Sequence, residues 1–225
     1  MNISIPKETI EFLSKLEKNN NRDWFNNHKK EFKSIETEVK KIYNTVFENL
    51  KEHDDVDKVK LFRIYRDVRF SKNKLPYKTH FGGSFNRVKP NLRGGYYLHI
   101  APNNESFIAT GFWEPNKDDL LRMRKEFEMD DQEMREIINN KAFKNVWGEL
   151  VGDEVKSAPK GFNRDHKAID LIKKKQYIFT KKYTDTEVLK PNFIENVNAS
   201  FKVIRPYFNY MSDVLTTDLN GVSLI

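Results

Sequence analysis

The sequence predicts an α+β fold: an antiparallel sheet of about four to six strands packed by two long helices and several short ones. Three observations predict it. Apolar residues recur at alternating steps of three and four near both ends of the chain, and at steps of two between Lys58 and Trp113. No internal repeat and no Pro/Gly/Ser-rich linker divides the 225 residues. The expected organisation is one domain over residues 1–225, helical in 1–55, mainly strands in 58–113 and mainly helical in 115–225.

Ile10, Phe12, Leu13 and Leu16 give the first helix its apolar side, and Asn19-Asn20-Asn21 ends it. An Asn before Arg22 and Asp23 can cap a second, longer helix, with the acid near its positive end. The seam Phe25, His28, Phe32, Ile35, Val39, Ile42, Val46 and Leu50 carries that helix nearly to His53. Four strands follow, at about Lys60–Phe70, Tyr77–Arg87, Gly95–Ala101 and Ser106–Trp113, with short connections that favour an antiparallel meander. Asn116 or Asp118 caps a helix through Phe127, Asp130 or Asp131 another through Ile138, and Gly148 closes a short turn at Phe143–Trp147. The run 156–162 reads as a basic loop, and Gln176–Lys182 as a fifth strand. A terminal helix from about Asn192 has the seam Ile194, Val197, Phe201, Ile204, Phe208, Met211 and Leu215. Pro206 lies inside it, so a kink or break is expected near Arg205.

Forty Lys and Arg against 33 Asp and Glu give a net charge of +7. The charge is concentrated. Lys60–Arg93 holds ten bases and the single acid Asp67, so the rest of the chain is slightly acidic, and five of the eleven arginines fall in that segment. A planar, permanently charged guanidinium suits carboxylate or phosphate better than a lysine does. The chain has no cysteine, which excludes disulfides, thiolate metal sites and cysteine nucleophiles. No apolar run approaches the ~18 residues of a membrane span, so a cytoplasmic protein without a membrane partner is expected. The sequence specifies neither cofactor nor oligomeric state.

If Leu61–Phe70 is a regular strand, Phe62, Ile64, Val68 and Phe70 share a face with Arg66, which then needs a carboxylate there, Asp23 being one candidate. Arg63, Tyr65, Asp67 and Arg69 share the other face. Arg63 and Arg69, with Lys74 and Lys78 of the following loop, can converge on an anion, and Arg66 completes the basic set. Asp67, Tyr77 and His80 are the acid–base candidates. The opposing view is a sheet face tied by salt bridges to acidic helices.

This run resembles the signature RxxRDxRFxx[DN]KxxYK of a bacterial family, the domain of unknown function DUF2461, through Arg63, Arg66, Asp67, Arg69, Phe70, Asn73, Lys74, Tyr77 and Lys78 without a gap. The segments 20–25, His28-Lys29, 95–100, 159–162 and Asp165-His166 agree too, although Lys167 stands where relatives are expected to carry proline. The resemblance implies a single complete domain and brings no established activity with it.

The histidines show no metal-ligand spacing such as HExxH, which leaves only a site assembled in space from His28, His80 or His99. Walker A, GxGxxG and nucleophile-elbow strings are absent, so an anion must be held by side chains. Trp113, at a strand end, can edge a pocket. Two readings follow. One is a compact anion pocket, extending to an enzyme acting on a phosphate- or carboxylate-bearing small molecule. The other is a non-enzymatic module binding nucleic acid or protein on the same sheet, through basic residues alternating with Phe62, Tyr65, Phe70, Tyr77, Phe81, Phe85, Tyr96 and Tyr97.

Overall fold

The computed structural model describes residues 4–225. Three helices come first: α1 (Lys7–Lys18), α2 (Arg22–Asn27) and α3 (Lys29–Lys51). Asn21 caps α2 by accepting from the Trp24 amide at 2.9 Å. The single long helix expected here is broken at His28, whose backbone leaves the helical region. The apolar seam runs on across the break, because Phe25, Phe32, Ile35, Val39, Ile42, Val46 and Leu50 are all buried.

Strands β1 (Val56–Leu61), β2 (Phe81–Arg87), β3 (Gly95–Ile100), β4 (Ser106–Phe112) and β5 (Tyr177–Tyr183) form one antiparallel sheet in chain order. Between β4 and β5 lie α4 (Lys117–Met129), α5 (Gln132–Asn139), α6 (Lys141–Trp147) and α7 (Ile169–Ile172). After β5 come α8 (Asp185–Val188), α9 (Phe193–Val203) and α10 (Arg205–Thr216). The terminal seam breaks at Ile204, where Pro206 falls in the first turn of α10. Lys167, in the loop before α7, turns to Asp131 at 3.1 Å. Among the described residues no helix is long and apolar enough to cross a membrane.

Two strand expectations need correction. Residues 62–80 are an irregular arm rather than the ends of two strands. It is a loose hairpin, in which the Arg66 amide donates to Pro76 and the Lys78 amide to Ile64, with one isolated bridge between Tyr65 and Tyr77. Pro76 has no N–H to offer a ladder, and of the four apolar residues expected to share a face only Ile64 is buried, while Phe70 is 97% exposed. The arm is held from outside. Asn20 donates to the Tyr77 carbonyl and accepts from the Tyr77 amide, and Phe25 stacks on the Tyr77 ring at 4.0 Å.

Pleating assigns the two sheet faces. Phe85, Tyr96, Phe112 and Phe179 point to the helices, where they meet Phe201, Phe208 and Tyr207. Gly82, Ser84 and Asn86 pair with His99, Tyr97 and Gly95, and these with Phe107, Ala109 and Gly111, on the opposite face. Among the described residues the ring–ring contacts of that face are with one another and with the arm: Tyr97 meets Phe62, and His99 meets Phe107 and His80.

On the helix side Arg87, 1% exposed, is fixed to Asp54 by two hydrogen bonds of 2.8 and 3.2 Å. Its remaining donors reach the Arg93 carbonyl at 2.7 Å and Ser212 Oγ at 3.1 Å, and the guanidinium lies over Phe208. The Tyr96 hydroxyl and Arg205 also engage Asp54. This network ties β2, β3 and α10 to the end of α3. Asp54→Ala would leave buried cations without a counter-charge, with an expected loss of about 3–5 kcal/mol in urea unfolding. A loss below about 1 kcal/mol would show that water reaches Arg87 freely.

Candidate functional site

The exposed sheet face has two halves. Toward β1 and the arm it is aromatic and cationic; toward the β2–β3 connection it is a floor of small residues.

In the first half, the β1–β2 register places Lys60 beside Ser84, and Phe62 continues the ladder by donating its amide to Gly82. Lys60 and Lys78 lie 5.7 and 5.6 Å from the Phe62 ring centre. His80 leans onto His99 at 4.1 Å, and His99 in turn stacks on Phe107 at 4.5 Å. The Tyr97 hydroxyl is hydrogen-bonded to His99 Nδ1 at 3.0 Å. Gly82 makes this possible, since a Cβ there would stand 2.4 Å from the Tyr97 hydroxyl.

Electrostatics separates this cluster from the rest of the arm. Burial, then the charges of Lys78 and Arg66, push His80 down to about 4. Burial and the neighbouring His80 push His99 down to about 3. Burial and Arg63 lower Lys78. Among the described residues no carboxylate stands at ion-pair distance from Lys60, Arg63, Arg66, Lys74 or Lys78. The carboxylate partner expected for Arg66 is therefore not found, and Asp23 is exposed in the first turn of α2. A cavity of about 380 Å³ opens between Arg66, Lys78, His80, Asn20 and Glu17.

The remaining candidates lie elsewhere. Asp67 makes a two-pronged bond to Arg69, at 3.0 and 2.7 Å, which with the Arg69 amide lowers its carboxyl. Lys74 donates to the Val68 and Arg69 carbonyls and so closes the tip of the arm. Tyr77 is buried against Phe25 and Tyr65, and burial raises its hydroxyl. The structure thus brings Arg63, Arg66, Lys78 and His80 together and leaves Asp67, Arg69 and Lys74 at the tip. Two arginines of the basic segment are committed to acids elsewhere, Arg87 to Asp54 and Arg93 to Asp119. His28 stacks on Trp24 and donates to its carbonyl, apart from His80 and His99.

Sequence reasoning named His99 only for a metal site and Tyr97 only for base stacking, and did not join either to His80. Their signal was the alternation within β3, where Tyr96, Leu98 and Ile100 are buried and residues 95, 97 and 99 face the other way.

The second half of the face holds a cavity of about 270 Å³ over Ser84, Asn86, Gly95 and Gly111, edged by Trp113, Lys89 and Glu114. Trp113 at a pocket edge matches its expected place at a strand end.

A family model described as "Conserved hypothetical protein (DUF2461)" matches residues 8–210. No curated protein and no solved structure matches the chain.

Because His80 and His99 are held neutral, an unfolded chain with ordinary imidazoles binds more protons than the folded one between about pH 4 and 6.5. Stability is therefore expected to rise with pH across that window. Each histidine contributes at most about 1.4 kcal/mol per pH unit before solvent screening reduces it. Urea unfolding of His99→Phe, which keeps the ring stack, should show a shallower rise than the parent; equal slopes would mean that the His99 imidazole is solvated.

Proposed function

We propose that this chain, which belongs to the DUF2461 family, binds a small phosphate- or carboxylate-bearing molecule where the arm meets the exposed face of the sheet. The observation that carries the reading is a charge imbalance. Arg63, Arg66 and Lys78 have no ion-paired carboxylate among the described residues; beyond the effect of burial, Arg63 lowers the proton affinity of Lys78, and Lys78 and Arg66 lower that of His80. A folded chain that keeps like charges together without a counter-charge holds a site in which an anion relieves the repulsion. Arg66 and Lys78 border the cavity and would hold the anion, Arg63 adds field beside Lys78, and Lys60 extends the positive rim along β1. The groups able to move a proton there are His80 and His99, with the Tyr97 hydroxyl bonded to His99. The proposal extends to an enzyme that acts on the bound molecule through them.

Burial favours this reading over a long nucleic-acid track. Of the eight aromatic residues that suggested stacking, Tyr77, Phe81, Phe85 and Tyr96 are in the core, and only Phe62 and Tyr97 reach the exposed face.

Pyrophosphate, tripolyphosphate and citrate should each be tested for a rise in melting temperature. The rise is expected for the parent and should vanish in the double variant Arg66→Ala/Lys78→Ala, whose own unliganded stability should match or exceed the parent's. An unchanged melting temperature with all three anions would reject the site. A bound anion favours the imidazolium, so affinity should increase as pH falls from about 6.5 toward 4. Calorimetry in two buffers of different ionisation enthalpy should then register proton uptake.

A further inference from the structure

We infer that the ligand is a nucleoside polyphosphate lying along the exposed sheet face, with its phosphates at the Arg66, Lys78 and His80 end and its base on the glycine floor beside Trp113. This rests on the anion reading above and adds the class of molecule. Four features carry it.

The first is polarity. The arm cavity is lined by two cations, Arg66 and Lys78, against the single acid Glu17, whereas at the floor end Lys89 and Arg93 stand with two acids, Glu114 and Asp119, the latter paired to Arg93. A molecule with one strongly negative end and one neutral end fits the face in a single direction.

The second is shape. Asn86 of β2 pairs with Gly95 of β3, and Gly95 with Gly111 of β4, so two neighbouring strands carry no side chain on the exposed face at this row. The gap is wide enough for a flat ring to lie on backbone, with the Trp113 indole at its edge.

The third is hydrogen-bonding capacity open to a ligand. The Asn86 amide and the Ser84 hydroxyl border this cavity and make no side-chain hydrogen bond within the chain, and an amide's paired donor and acceptor match the edge of a heterocyclic base.

The fourth is length. His99 and Gly95 are four residues apart on one strand, about 14 Å at roughly 3.4 Å per residue. That is a span for an extended molecule rather than a single inorganic anion. Between them lie Ser84, Tyr97 and Ala109, the row that such a molecule would cross.

Calorimetric titration with tripolyphosphate and with each of the four ribonucleoside triphosphates tests this. At least one nucleotide should bind about tenfold or more tightly than tripolyphosphate, the factor expected from one stacked base. Gly95→Val should cancel that advantage while leaving tripolyphosphate binding unchanged. The backbone there has room for a Cβ, whose nearest contact is the Phe85 carbonyl at 3.4 Å. Trp113→Leu, made independently, should do the same, so a folding defect in one variant leaves the other to decide. If tripolyphosphate and the nucleotides bind equally well, the inference is overturned and the anion site stands. If tripolyphosphate, pyrophosphate and citrate all fail to bind, the anion site falls, and this inference with it. Binding of a single-stranded oligonucleotide without binding of any mononucleotide would also overturn it, in favour of a nucleic-acid surface.

Discussion

The Arg87 guanidinium has been taken out of water, and the architecture around it follows from keeping it satisfied. An isolated buried cation is costly, so Asp54 must come from the end of α3, Ser212 from α10 and a backbone carbonyl from Arg93. Those partners lie far apart in sequence. Meeting them at one point fixes the sheet against the first and last helices. It also fixes the β2–β3 connection, because Ser212 accepts from the Arg93 amide directly before the glycines of the floor. A structural ion pair on one face of the sheet thereby sets the backbone from which the other face is built.

The sheet is covered by helices on one side, and its other side carries the proposed site. Side chains on that side are either small or ring-shaped, with Gly82, Gly95, Ala109 and Gly111 among Tyr97, His99 and Phe107. The arm of residues 62–80 closes one end of this surface. Its position depends on Asn20 and Phe25, and so on the turn between α1 and α2. The agreement of residues 20–25 with the family signature thus has a physical basis: that turn holds the segment bearing Arg66, Lys78 and His80.

Charge counting singled out one stretch of chain but not how its cations are paired. A count treats Arg63, Arg66, Arg69, Arg87 and Arg93 alike. In the folded chain Arg87 and Arg93 are spent on acids from distant segments, Arg69 on its near neighbour Asp67, and Arg63 and Arg66 on none. The assignment of faces failed for a related reason, since period-two reasoning assumes a continuous ladder and Pro76 with its irregular partners breaks it.

The sequence by itself determined the α+β class, the antiparallel meander, the interrupted terminal helix and the family, because periodicity, caps and proline act within a few residues of one another. The two apolar seams and the strands Gly95–Ile100 and Ser106–Phe112 were legible to within a residue or two. Tertiary structure alone decided which cations remain without partners, that His80 and His99 meet, and that glycines from β3 and β4 lie side by side on the face away from the helices. Each of these depends on strand register and on contacts between segments tens of residues apart. Local pattern carries no information about such distances.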